Sequence, residues 1–320
     1  MPVCLVRSSI NIDETFQVPH IVRPGETMSS SGMWSRPGGK GANVAAALGL
    51  AGAPVKMLGA VGKEATWPLD CLKERHVDTS HVHVSDSVPT GRAFIQVSTS
   101  DGENSIVLLK GANFVEETSL NDPAAWIGTE EETYVVLQNE IPLEVTKAYA
   151  AYASARPHVR AVFNPSPMLS QDELRAFPWE GIDVLIVNEG EAADMHEALS
   201  GRPVEASAAK ALAALPAIAS IQWIVVTFGS RGSAAGVLCD GSRTWVDVPA
   251  TKAERVVNTT GAGDTFTGYL VSGILREQGA VTPERIHALM TRASVASAMA
   301  VEVDGAMESI PAAADVEKRL

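Results

Sequence analysis

At 320 residues the chain can bury a sizeable core, either as one large α/β domain or as one domain with a smaller appendage. A hydrophobic content of 46% with 20% charged residues is that of a soluble globular protein. The net charge of −13 argues against nucleic acid and anionic membranes as partners, while leaving room for a small phosphorylated ligand in a local donor pocket.

The N-terminal stretch from Met1 to Arg7 has too short an apolar run for a signal peptide and reads as a first strand. Next, Ser9-Ile10-Asn11-Ile12-Asp13 sets two short polar side chains at alternate positions. If extended, it turns Asn11 and Asp13 to the same side, although Asx residues after a strand are also turn formers. Residues 14–36 are polar, with alternation near Met28 to Trp34 that suits short strands exposed on one face. Then comes Gly38-Gly39-Lys40-Gly41-Ala42-Asn43, leading into an Ala/Leu-rich helix whose small residues allow close packing on a sheet. This is no Walker A loop, because Gly41 follows Lys40 where Ser or Thr is needed, and no GxGxxG follows a strand. Lys40 and Asn43 are either hydrogen-bonding groups at a helix start or a solvated lysine and a capping asparagine.

Residues 55–61 read as a strand and 67–75 as a helix. Two β-like runs, 92–98 and 105–109, join through the turn pair Asp101-Gly102 and, with 14–36, make a small separate sheet. From residue 134 onward the pattern changes. Near-continuous apolar strands at 134–139, 159–164, 184–188 and 221–228 alternate with helical segments such as 143–155, 191–199 and the alanine-rich 206–215. That alternation predicts a parallel sheet buried on both faces, with ligands beyond the carboxyl ends of its strands. Those ends carry Gln138-Asn139-Glu140, Asn164-Pro165-Ser166, Asn188-Glu189-Gly190-Glu191 and Thr227-Phe228-Gly229-Ser230-Arg231-Gly232, which together point to one shared site. Near the C-terminus, Thr260-Gly261-Ala262-Gly263-Asp264-Thr265-Phe266 opens another helix. From the residues alone it is either an ordinary turn capped by Asp264 or an anion cradle with a carboxylate base beside it. Cys4, Cys71 and Cys239 are far apart and lack metal-ligand spacing, as expected of reduced thiols in a cytoplasmic protein. No apolar run reaches membrane-spanning length, and Lys318-Arg319-Leu320 is a poor match to the peroxisomal address.

With these motifs in order, the sequence resembles the ribokinase-like (phosphofructokinase B) family of sugar and nucleoside kinases from about Ser9 to Pro311. The paired glycines with Lys40 and Asn43, and the TGAGD string ending at Asp264, are the two signatures. Asn188 to Glu191 resembles the family's NxxE motif, and Thr227 to Gly232 its nucleotide loop. The resemblance implies a Rossmann-like α/β domain over residues 1–320, with a mostly parallel central sheet flanked by helices. It also implies a small β-sheet lid built from segments near 11–36 and 91–110. The activity implied is ATP-dependent phosphorylation of D-ribose at its primary 5-hydroxyl, with Mg²⁺. Another sugar or a nucleoside is the alternative acceptor, and a catalytically silent sugar- or nucleotide-binding protein the alternative of another class.

Carried over residue by residue, Asp264 is the general base, and the backbone of Gly261, Ala262 and Gly263 forms the anion hole. Asn11, Asp13, Gly39, Lys40, Gly41, Asn43 and Glu140 hold the sugar. Asn188, Glu191, Thr227, Gly229, Ser230, Arg231, Gly232 and Gly263 serve the nucleotide, Glu191 also as an outer-shell contributor to Mg²⁺. A monovalent-cation site falls on Asn258, Thr260, Ala300, Val303, Gly305 and Ser309, and the lid implies a homodimer. Two departures stand out. The family usually has aspartate at position 258, so asparagine implies weakened potassium binding. The stretch from Gly62 to Pro68 lacks the later glycine of the family's G-x-D-x-x-G pattern, so its backbone must run differently.

Overall fold

Apolar runs without alternation form a sheet covered on both faces, because each face of such a strand needs a partner. The computed structural model describes residues 2–205, 207–239, 241–277 and 281–320. In chain order the strands are β1 (Val3–Arg7), β2 (Asn11–Val18), β3 (Gly32–Gly38), β4 (Val55–Leu58), β5 (Ala60–Gly62), β6 (Val77–Asp78), β7 (His83–Ser85), β8 (Gly91–Ser98), β9 (Asn104–Leu109), β10 (Thr133–Gln138), β11 (Val159–Asn164), β12 (Val184–Asn188), β13 (Trp223–Thr227), β14 (Ser233–Cys239) and β15 (Ser242–Val248). The helices are α1 (Lys40–Leu50), α2 (Trp67–Glu74), α3 (Thr118–Asn121), α4 (Leu143–Ser154), α5 (Gln171–Ala176), α6 (Glu189–Ser200), α7 (Ala208–Ala213), α8 (Ala262–Arg276), α9 (Pro283–Ala300) and α10 (Ala313–Glu317). Ala206, the expected start of the alanine-rich helix, and Met1 lie outside the described residues.

The main sheet has the order β15-β14-β13-β12-β11-β10-β1-β4-β6, parallel from β13 to β6 and antiparallel at β14 and β15. Alternate residues of one strand feed two cores: Cys4 and Val6 pack under α1, α2, α8 and α9, while Leu5 packs under α4, α6 and α7. Strand order reverses between β1 and β10, since the chain winds one way through β4 and the other way from β10 to β13. A crevice at the carboxyl ends follows from such a reversal. Glycines 268 and 273 within α8 cost roughly 1 kcal/mol each relative to alanine. Close packing offsets this: a Cβ on Gly268 would lie 2.4 Å from the Ala47 Cβ of α1. Neighbouring Leu270 and Val271 are fully buried, worth roughly 1.5–3 kcal/mol each. The N-termini of α1 and α8 therefore open side by side.

A second, four-stranded sheet has the order β3-β2-β8-β9, with β2 and β8 parallel and the outer pairs antiparallel. It covers much of the expected lid segments, but residues 19–31 are not in strands and β3 begins at Gly32 rather than near Met28. Two further expectations change. Residues 55–61 split at Gly59, β4 staying in the main sheet while β5 leaves it to pair with β7. The β8–β9 connection is longer than a two-residue Asp-Gly turn: Val97 pairs with Asn104, and Gly102, at φ 78°, turns the loop. Strands β14 and β15 had no reading in the sequence, because Ala- and Gly-rich β14 and half-buried β15 lack a strong period. Among the described residues, no helix is long and apolar enough to cross a membrane.

Candidate active site

Two glycine-rich helix starts face the crevice, and they differ in what satisfies their free N–H groups. At α1, Gly39 has φ 91°, and a Cβ there would sit 2.7 Å from the Asn11 nitrogen. Glycine thus lets the backbone press on β2. Remote groups fill this helix end: Lys40 N donates to Glu140 Oε2 at 3.0 Å, Gly41 N to Ser9 Oγ at 3.3 Å, and Ala42 N to Ser9 O at 2.9 Å. Ser9 Oγ also donates to Glu140 Oε2, and Asn11 Nδ2 lies 3.5 Å from the same oxygen. Glu140 is therefore a cap for α1 as well as a crevice carboxylate. At α8, Gly261 adopts the left-handed region at φ 79°. Ala262 N donates to Thr259 O at 3.3 Å, but the Gly263 and Asp264 N–H groups, in the first turn, have no such acceptor among the described residues. Space beside Gly263 is open. The unfilled donors, together with the positive end of a 15-residue helix, are at α8.

Asp264 and Asn43 join the two ends. Asn43 Nδ2 donates to Asp264 Oδ2 at 2.9 Å across 221 residues of chain, while Asn43 Oδ1 is buried without a partner among the described residues. Burial pushes the Asp264 carboxyl up to about 6, although Lys40 and the Asn43 amide pull it down and Glu140 and Glu191 push it further up. Asp13 goes higher, to about 7, through burial first and then repulsion from Glu140, Glu308, Asp264 and Glu14. Asp13 sits beside Gly38, where a Cβ would overlap its carboxylate at 2.3 Å. Asn11 is held from behind: Asn113 Nδ2 donates to Asn11 Oδ1 at 2.6 Å, and Asn113 Oδ1 accepts from Ile10 N at 2.8 Å. Ser9 and Asn113 were not singled out in the sequence. Each acts through a partner about a hundred or more residues away, which leaves no local pattern.

Beside α8 lies a cavity of about 520 Å³. Of the residues expected at a nucleotide, Thr227, Gly229, Ser230, Gly232 and Gly263 line it. Three do not. Arg231 turns outward, pairing with Glu189 and stacking over the Phe228 ring at 5.5 Å. Asn188 and Glu191 form a capping box for α6, with 2.8 Å bonds in both directions, which leaves Glu191 Oε1 outside the box. The rest of the wall comes from the coil after β15, including Lys252, Val256 and Thr259, and from one face of α9 with Ser294, Ser297 and Ala298. These residues carry no motif; only their helical spacing of three and four hints at a shared face.

The segments named for a monovalent cation do lie together, since Val257 N and Asn258 N both donate to Val301 O. Their polar atoms are largely engaged. Asn258 Oδ1 accepts from Thr260 N, Ala300 O accepts from Val303 N, and Ser309 Oγ donates to Ala306 O. Asn258 Nδ2 donates to Asp304 Oδ1, and Arg36 of the small sheet binds Asp304 Oδ2 at 2.8 Å, both holding Asp304 below the usual carboxylate range. Among the described residues, no group of three or more His, Cys, Asp or Glu is arranged to hold a metal ion.

With this geometry in place, the family model described as pfkB family carbohydrate kinase matches residues 2–313. A ribokinase of Haemophilus influenzae is 33% identical over 312 residues, covering 96% of this chain and 94% of that protein. The crystal structure of ribokinase from Cryptococcus neoformans var. grubii in complex with ADP superposes with a TM-score of 0.86 at 38% identity, covering 100% of both chains. A structure of Arabidopsis thaliana ribokinase complexed with ribose and ATP gives a TM-score of 0.79 at 26% identity, covering 99% of this chain and 97% of that one.

Proposed function

The chain belongs to the pfkB family of carbohydrate kinases, and on that premise we propose that it transfers the γ-phosphoryl group of ATP to the 5-hydroxyl of D-ribose, giving ribose 5-phosphate and ADP. The observation that carries this reading is the Asn43–Asp264 hydrogen bond. It sets a carboxylate of raised proton affinity at a helix start where, among the described residues, Gly263 N and Asp264 N have no protein acceptor. The ribokinase relatives supply the substrate class.

In this reading the sugar lies between the small sheet and α1. Asp13 and Glu140 accept from its hydroxyls, and Asn11, Lys40 and Asn43 donate to them, with the backbone of Gly39 and Gly41 close by. Paired polar groups of this kind reject a sugar that leaves one of them without a partner. Asp264 takes the proton of the 5-hydroxyl as that oxygen attacks phosphorus, and N–H groups at the start of α8 bind the charge on the transferring group. The cavity holds the nucleotide, with Val256, 68% exposed, offering apolar surface for a base to cover. Glu191, whose Oε1 lies outside the capping box, would hold Mg²⁺ through water, and the ion would supply charge neutralisation on the phosphates. The small sheet closes over the sugar and excludes water. Three free thiols suit a cytoplasmic setting.

The test is ADP release coupled to D-ribose, run against a panel of ketoses, deoxyribose and nucleosides. Asp264→Asn is expected to keep sugar and ATP binding and to lose turnover by about a thousandfold or more. Near-normal turnover in that variant removes Asp264 as the base, and a better acceptor in the panel replaces ribose. Potassium activation is weak in this reading, because Asn258 brings no charge and the charge of Asp304 is paired with Arg36. A KCl titration at constant ionic strength is expected to change turnover by less than about twofold. Large, saturable activation at low millimolar KCl overturns that.

A further inference from the structure

The wall of the nucleotide cavity between β15 and α8 is a coil, residues 249–261, with neither helix nor strand to hold it. Ala250, Thr251, Lys252, Ala253, Val256 and Thr259 of this coil line the cavity, while Val257 is 48% exposed. Such a segment keeps its shape only through the bonds its backbone and side chains make. One anchor is Thr251 N to Ser294 Oγ at 3.0 Å. Val257 N and Asn258 N hold it at Val301 O, and three further bonds converge on the two residues of one ion pair. Glu254 N donates to Glu302 Oε1 at 2.6 Å, Arg255 Nε donates to Glu302 O at 3.2 Å, and Arg319 Nη2 donates to Lys252 O at 3.3 Å. Arg319 grips the Glu302 carboxylate with both terminal nitrogens, at 2.6 and 2.7 Å. Both side chains are mostly shielded, 23% and 14% exposed, so the pair is not an ordinary solvated surface contact.

We infer that Arg319, just beyond α10, is a positioning residue for the nucleotide: through Glu302 it holds the 252–255 coil in the shape that receives ATP. Among the described residues, the side-chain hydrogen bonds of Arg319 go to Glu302 and Lys252, not to the crevice carboxylates or the small sheet. Its fork is bidentate, which a lysine, as a single point charge, reproduces only in part. The Glu302 carboxylate supplies one oxygen to the coil and both to the arginine, so the two residues act as one unit. The inference rests on the nucleotide reading of the cavity.

The experiment measures ADP binding by calorimetry and KM for ATP and for D-ribose separately, in wild type, Arg319→Ala, Arg319→Lys, Glu302→Gln and the Arg319→Ala/Glu302→Gln double variant. Thermal melts check that each is folded. Arg319→Ala and Glu302→Gln are expected to raise KM for ATP and Kd for ADP about tenfold, with KM for ribose within about twofold of wild type. Arg319→Lys should recover part of the loss, and the double variant should be no worse than the weaker single one. Folded Arg319→Lys and Glu302→Gln proteins with unchanged ADP affinity overturn the inference. So does a parallel rise in KM for both substrates, which marks general loosening. Wild-type protein that turns over ribose but binds no ADP at the cavity fails the nucleotide reading itself, a result separable from either of these.

Discussion

Asp13 and Asp264 are the same residue type pushed the same way, and their proton affinities set how the free enzyme meets acid. Burial is the main cause for both, raising Asp264 to about 6 and Asp13 to about 7. Each has its proposed role only when ionised, Asp264 as base and Asp13 as acceptor of a sugar hydroxyl. The profile of kcat/KM for ribose should therefore rise from pH 5 and level off near pH 8, through two overlapping steps that belong to the pair. A flat profile from pH 5 to 8 at constant ionic strength contradicts this. The linkage to stability has the opposite sign from that of a salt-bridged carboxylate. These groups hold more protons folded than unfolded, so the stability that this pair contributes to the ligand-free protein is lost as pH rises from about 4 to about 7. At this scale the sequence marked Asp264, Asn43, Lys40 and Glu140 through their motifs and strand ends. It could not mark Ser9, Asn113 or Asp304, whose importance comes from partners far along the chain.

The helix starts are the elements that decide the chemistry. Both carry glycines, and composition alone does not say which binds an anion. Glu140 and Ser9 settle α1 by occupying its N–H groups, leaving α8 open. The turn into α8 also depends on one conformation: Gly261 at φ 79° lies where a Cβ would come 2.9 Å from Ala306 O. Gly261→Ala adds left-handed strain of about 1–2 kcal/mol and pushes the 306 segment away. The expected result is a loss of kcat of about a hundredfold with KM for ribose little changed. A variant that keeps kcat shows that the α8 donors do not need this turn. The same scale explains Asn188 and Glu191. Their spacing is that of a capping box, and in the fold they form one.

For the whole molecule, the small sheet is the part whose surface is unlike the rest. Phe94, Val107 and Met33 on one face and Ile106 and Leu108 on the other are 38–64% exposed. Exposed apolar strands invite pairing, and they are the surface that the homodimer implied by the family resemblance would cover. Val107→Asp is expected to shift the protein to monomer in sedimentation velocity and to raise KM for ribose. A wild-type monomer at micromolar concentration rules the dimer out. Period and composition by themselves determined the doubly covered parallel sheet from β10 to β13, the helices between its strands and the glycine-rich helix starts. These depend on neighbours within about ten residues, where spacing records which face is buried. The family motifs then ordered the site along the chain. Only the tertiary structure decided which glycine corner is open, that Arg231 faces away from the cavity, that Arg36 meets Asp304 beside Asn258, and that Arg319 reaches the coil lining the cavity. Those outcomes are pairings across tens to hundreds of residues, set by how the packed layers bring distant segments together, and no local period encodes them.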